Sequence, residues 1–499
     1  MNTSIQAHTN YLQGGGEENG KEALAFNSKY TNAALKGMIG VRKAKSTHQL
    51  NYSYYKQLLG IIEDEEVENP GGGAPEEERD YEMEAPCQDV VTHVISSENK
   101  FITGKSAVLL NLGYQMNTRK EFEPGLTGKK SKLLAVALDL KTVTADLQWQ
   151  SDAHKAAGLS AGIQGFHQVN ENFGNWVLVP DAKISTIGGF ALFHLNKGRL
   201  NLLAGARIDA HEIRTFNTPV PQPDTFNATF PKPQQALKKS YTPFSFSSGA
   251  VYHLSDQLSV KANIASGYAA PNYAQLSAFG RHEGSYRFEI GNNDLNMEKN
   301  LQIDLSFEIQ NSSFKASLKG YDNMVNDYIY INPTGETVKE LKVYKWEQHD
   351  AVLKGLELEL NVHPQSVQRL EFYANGGLIS GKLTNGNGYL PYIPAEKLIT
   401  GITVKGGHEK WQELYVTLQL DAYGSQKNMA EFETASAGYL LTDIYLGGKP
   451  PLGKNHRWTA VLFCTNIFNK AYFNHTSLIK SIGVMEPGRN AGLQFRYSF

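Results

Sequence analysis

Leu301-Gln302-Ile303-Asp304-Leu305-Ser306-Phe307-Glu308-Ile309-Gln310 is the stretch whose reading decides the fold. Apolar and polar residues alternate without a break, and a period of two puts the five apolar side chains on one face of a strand and the five polar ones on the other. The core strand of a soluble β-sandwich rarely keeps five unbroken polar partners. A sheet with lipid on one side and a wet lumen on the other requires them. Upstream, Pro271–Asn300 has weak periodicity and holds His282, Glu283, Arg287 and Glu289. Downstream, Asn311-Ser312-Ser313 is a minimal turn into Phe314–Tyr321, which alternates again. The unit to look for is therefore a strand with a long connection at one end and a tight turn at the other.

That unit recurs. Leu35, Gly37, Ile39 and Val41 share a face, and a short Lys43–Thr47 turn leads to Leu50, Tyr52 and Tyr54. Leu356, Leu358, Leu360 and Val362 oppose Glu357, Glu359 and Asn361; Leu414, Val416, Leu418 and Leu420 oppose Tyr415, Thr417, Gln419 and Asp421. Short connections such as Asn196–Arg199 and Ser255–Gln257 take turns with long ones such as Arg119–Ser131, Glu212–Ser240, Tyr268–Asn300, Asp322–Val352 and Phe468–Asn490. About twenty strands result, many near the length a membrane-crossing strand needs. Keeping the long loops at one end is what antiparallel strands in a membrane produce. The fold class is an all-β, large antiparallel transmembrane β-barrel of about 20–22 strands, with long extracellular loops and short periplasmic turns.

Composition agrees. The 499 residues carry a net charge of −2, which offers nothing to nucleic acid, and 11% are aromatic. No run of about twenty apolar residues is present to make a membrane helix. Two cysteines, Cys87 and Cys464, read as unpaired thiols. Met1–Tyr11 lacks the basic region, apolar core and cleavage site of a secretory signal. Gly158-Leu159-Ser160-Ala161-Gly162 matches a nucleophile pattern, but no helix follows it as that chemistry needs. No enzyme is expected.

The motifs carry a resemblance. Ser266-Gly267-Tyr268-Ala269-Ala270-Pro271 with Gln275-Leu276, Glu289-Ile290-Gly291-Asn292-Asn293-Asp294-Leu295 with Glu298, Asn326–Ile331, and Asn466-Ile467-Phe468-Asn469-Lys470-Ala471-Tyr472 stand in the order of the signatures of a TonB-dependent outer-membrane receptor. The C-terminal Phe499 is similar to the family's assembly signal. Within that family the chain resembles the zinc-uptake type most, through His282-Glu283-Gly284, Asn474–Lys480 and Pro487–Asn490. The resemblance implies an outer-membrane barrel of a Gram-negative bacterium that takes up a scarce ligand: zinc, another metal ion or a metal chelate. It also implies three partners. One is the TonB–ExbB–ExbD complex, reached through an N-terminal segment; the others are outer-membrane lipid and the barrel-assembly machinery, the latter through the Phe499 strand. No permanently bound cofactor is expected. The family's signal and plug domain have no match here, so residues 1–499 are read as the barrel portion.

One departure concerns the metal. Zinc receptors of this type carry a histidine-rich outer loop near Leu59–Cys87; here that segment has eleven Asp or Glu and no histidine, with Glu63, Asp64, Glu65 and Glu66 clustered. Zinc prefers His and Cys, and carboxylates suit harder cations. The acidic loop is read as a capture segment at the mouth. His282, Glu283, His349 and His475, in or beside long loops, are the candidate metal ligands. A siderophore or haem receptor, a passive pore or adhesin, and a soluble carbohydrate-binding β-protein or barrel enzyme are the rival expectations.

Overall fold

The computed structural model describes residues 2–18, 21–62, 82–125, 128–152, 156–218, 236–282, 287–384, 388–407, 411–452 and 458–497. Within them the chain forms a 23-stranded sheet and a separate hairpin of Leu12–Glu18 with Lys21–Leu24. Three members of the sheet are four-residue pieces: Lys238–Tyr241, Phe279–His282 and Arg287–Ile290. The other twenty run from 7 to 25 residues and pair antiparallel, each with its neighbours in sequence, from Asn2–His8 on Tyr30–Lys43 to Trp458–Thr465 on Asn490–Tyr497. At the outer end the chain's first and last segments meet. The Tyr11 hydroxyl donates to Met485 O (3.1 Å), Met485 N to Gln13 Oε1 (2.9 Å), and Gly15 N to Asn469 O (2.9 Å). Among the described residues no helix is long and apolar enough to cross a membrane.

The alternation has the expected physical meaning. In Glu298–Gln310, Ile303, Leu305 and Phe307 are 46–47% exposed on the outer wall. Their neighbours Gln302, Asp304, Ser306 and Glu308 are half-buried on the lumenal face, where side chains bond between adjacent strands. Lys261 Nζ donates to Glu308 at 2.6 Å, Asn263 Nδ2 to Asp304 at 3.2 Å, and Lys319 lies 3.5 Å from Glu357. Such a row satisfies polar groups that lipid would leave without partners.

Glycines on the same wall are filled by aromatic rings. Tyr321 faces Gly355, Tyr373 faces Gly401 and Tyr415 faces Gly447 directly across the ladder. A Cβ on any of these glycines would come within 2.3 Å of the tyrosine ring. The ring supplies the packing that the glycine lacks.

Connections differ between the two ends. At one end the pairs Lys43↔Ser46, Thr103↔Ser106 and Lys197↔Leu200 enclose the two-residue turns Ala44-Lys45, Gly104-Lys105 and Gly198-Arg199. Gly104 and Gly198 take φ of 64° and 59°, the left-handed backbone that such hairpins demand. Two of the long connections expected at the other end are instead paired strand. Asp322–Val352 lies mostly inside a hairpin of Phe314–Val338 with Leu341–Val362, and Arg119–Ser131 lies within the pairing of Ser106–Gly125 with Gly128–Gln150. Asp327, at φ 57°, marks a register shift between Val325 and Tyr328. A bulge of this kind breaks the period of two without ending the strand.

The described residues of Tyr268–Asn300 fold into a compact knot. Asn272 caps a five-residue helix, Tyr273–Ser277, in a capping box with Gln275. Gly291 N donates to Ala278 O and Asn292 N to Gln275 O, while Asn292 Nδ2 reaches Trp346 O. Leu276 and Leu295 are buried with Ile184, Ile213 and Ile329. A Cβ on Gly291 would meet backbone atoms of residues 276–278 at 2.5–2.7 Å. The family-like residues of this stretch therefore hold the loop base against the barrel.

Candidate functional site

Above the wall, the strand Arg287–Ile290 pairs antiparallel with Phe279–His282 and parallel with Leu341–Val362. It is the one parallel pairing among the described strands. Its own alternation buries Phe288 with Val338, Leu341 and Val343 and puts Arg287 and Glu289 on the opposite side. There Glu289 Oε1 receives His282 Nδ1 at 2.7 Å and Arg287 Nε at 2.8 Å. Burial alone would raise the Glu289 pKa; the hydrogen bonds and charges of His282 and Arg287 outweigh it and hold the carboxyl below its ordinary value.

A second group forms on the loops over residues 425–437 and 466–489. Gln426 and Ser436 exchange two backbone hydrogen bonds of 3.0 Å, closing the first loop. Glu433 accepts Ala430 N at 2.9 Å and Tyr392 N at 2.8 Å, which fixes its carboxylate. His475 is 5% exposed. Its Nδ1 lies 2.9 Å from Ser436 Oγ and 3.4 Å from Lys480 Nζ. Its Nε2 is buried without a hydrogen-bond partner, 3.7 Å from Glu433 Oε1. Burial and then the Lys480 charge lower the His475 pKa, and burial lowers that of Lys480. The imidazole is therefore held neutral, the form that ligates metal.

The two groups are joined by aromatic side chains. The Arg287 guanidinium lies 5.3 Å from the Tyr344 ring centre. Tyr344 meets Phe432 edge-on at 5.6 Å, and Phe432 meets Tyr392 at 6.0 Å. Phe432 and Glu433 are adjacent, so the network runs from His282 to His475 and draws on five outer segments. Beneath it a cavity of about 690 Å³ opens toward the lumen, lined among others by His475, Ser436, Tyr423, Tyr439, Glu357 and Glu359.

Of the candidate ligands read from sequence, His282 and His475 lie at the two ends of this network. His349 stands apart, 3.0 Å from the Tyr330 hydroxyl. Glu283 and the acidic loop residues Glu63, Asp64, Glu65 and Glu66 lie outside the described residues, as does Phe499. Among the described residues no three His, Cys, Asp or Glu side chains converge as a metal site. Glu433, Tyr344, Tyr392 and Phe432 were not singled out from sequence. Glu433 shares a polar loop with Glu431 and has no histidine beside it, and its partner His475 is 42 residues away in the chain.

Solved structures place the fold. The chain superimposes on the copper transporter OprC with a TM-score of 0.77 at 14% identity, covering 100% of this chain and 75% of that one. For the FrpB iron transporter from Neisseria meningitidis the values are 0.73, 14%, 100% and 76%. For the siderophore receptor PirA from Acinetobacter baumannii they are 0.68, 15%, 95% and 72%. The family model for the β-barrel of TonB dependent receptor-like proteins matches residues 26–467. That span takes in the alternating wall, the knot at Tyr268–Asn300 and most of the outer network, and the chain belongs to the TonB-dependent receptor family as its β-barrel.

Proposed function

We propose that this chain is the barrel of an outer-membrane receptor of a Gram-negative bacterium that captures a metal ion, zinc before others, for TonB-energised uptake. The observation that carries the reading is His475: buried, held neutral, with an unpartnered Nε2 beside Glu433 and above a cavity that leads into the lumen. The tautomer that ligates through Nε2 carries its proton on Nδ1, where Ser436 Oγ at 2.9 Å would accept it. The imidazole and the Glu433 carboxylate then supply two donors of the types zinc takes. The remaining ligands come from groups brought in on loading: water, the loop over Glu63–Glu66, Glu283, or a plug domain in the lumen. Energy for release comes from the TonB–ExbB–ExbD complex acting through that plug.

Binding to the whole receptor tests this. His475→Ala and Glu433→Gln should each weaken zinc binding at least tenfold, about 1.4 kcal/mol, while His349→Ala leaves it unchanged. Zinc binding by His475→Ala equal to wild type contradicts the site.

The aromatic bridge favours a second reading, a metal chelate in place of the bare ion. Tyr344, Tyr392 and Phe432 around Arg287 offer ring faces and a cation to a flat anionic chelate. Loss of ferric-chelate binding in Tyr344→Ala, with zinc binding intact, selects this reading.

A further inference from the structure

The tight-turn end of the barrel carries charge that the uptake reading does not use. Three of its hairpins have a two-residue turn, and the second turn residue is basic in each: Lys45, Lys105 and Arg199. Lys43 ends the lipid-facing series Leu35, Gly37, Ile39, Val41, and Lys197 ends the series Ile187, Gly189, Ala191, Phe193, Leu195. All five basic residues are exposed, and none makes an ion pair with a described residue. Arg199 is oriented by a 3.1 Å hydrogen bond to Leu254 O. Just inside them on the lipid side lie exposed aromatic rings, Phe101, Trp149, Phe193 and Tyr252. At two other places on this rim a lysine is paired with a carboxylate: Lys405 bonds Glu371, and Lys449 bonds Glu413 at 2.5 Å.

We propose that the turns Ala44-Lys45, Gly104-Lys105 and Gly198-Arg199, with Lys43 and Lys197, are a binding surface for the phosphate headgroups of anionic glycerophospholipids in the inner leaflet of the outer membrane. The inference rests on the outer-membrane placement proposed above and is independent of the transported ligand. Charge complementarity and position select the occupant. Aromatic rings sit at headgroup level, and unpaired cations one step beyond them meet phosphate. Because Lys43 and Lys197 are continuous with lipid-facing stripes, the surface opens sideways to the membrane. A soluble anion in the pore has no need of side chains on that face.

The test is native mass spectrometry of the whole receptor released from nanodiscs of phosphatidylglycerol and phosphatidylethanolamine. Wild type should retain phosphatidylglycerol about fivefold above its bulk share, falling toward the bulk share as salt rises to about 0.5 M. The variant Lys45→Gln/Lys105→Gln/Arg199→Gln should lose the enrichment, whereas Lys342→Gln/Lys345→Gln, at the opposite end, should keep it. Equal enrichment in the first variant, loss in the second, or none in wild type overturns the proposal. The salt series on wild type decides the matter should the first variant not fold. Metal binding unchanged in the first variant separates this result from any failure of the uptake reading.

Discussion

Leu305 and Ser306 are adjacent, yet one lies against lipid and the other in the lumen. Leu305→Arg should therefore impair membrane insertion by about 2–4 kcal/mol, the cost of a lipid-facing arginine at mid-depth, and Ser306→Arg should be tolerated. Urea titration of both variants in lipid vesicles measures the difference; equal effects contradict the assigned faces. At His475 the sign with pH follows from its lowered pKa. The unfolded chain takes up the proton first as pH falls, near the ordinary value of 6.5, so folding loses stability below that point until the folded imidazole also protonates. The melting temperature of wild type should drop further than that of His475→Gln between pH 7.5 and pH 5.5 (roughly one unit either side of an ordinary histidine). Parallel curves remove His475 as the titrating group.

Among elements, the strand pairs with a tyrosine over a glycine make a specific claim. Gly401→Val would force the Tyr373 ring off the ladder, and overpacking of this kind costs about 1–3 kcal/mol. Tyr373 also donates a 2.6 Å hydrogen bond to Gln419, which the same change would disturb. Unfolding by urea should shift accordingly, and a shift within error would show that the ring does not depend on the glycine. Gly291→Ala should be worse for the loop, because its Cβ meets backbone atoms that cannot turn aside. Limited proteolysis within Tyr268–Asn300 reads that out. The strands themselves were legible from alternation because each has one lipid face and one lumenal face. The hairpin over Asp322–Val352 was not: above the wall its apolar residues Val338, Leu341 and Val343 pack on Phe288 of another loop instead of on lipid, and the bulge at Asp327 shifts the period.

For the whole molecule, the barrel and its family were legible because a membrane wall imposes one pattern on every strand, and the ordered motifs fix the loop bases. The outer network was legible only at its ends, His282 and His475. Its middle depends on residues from four segments meeting in space, with register and loop path deciding which carboxylate faces which imidazole, and a linear spacing does not encode that. The uptake claim reaches its most direct test in the metal content of cells. Bacteria lacking the natural receptor gene are grown under metal limitation and complemented with the whole wild-type receptor or with His475→Ala. Cell-associated zinc, copper and iron are then measured by inductively coupled plasma mass spectrometry, with and without a functional TonB. The expected result is a deficit in one metal, zinc foremost, that wild type restores only when TonB works and His475→Ala does not restore. Identical metal contents with and without the receptor would contradict its role in metal uptake.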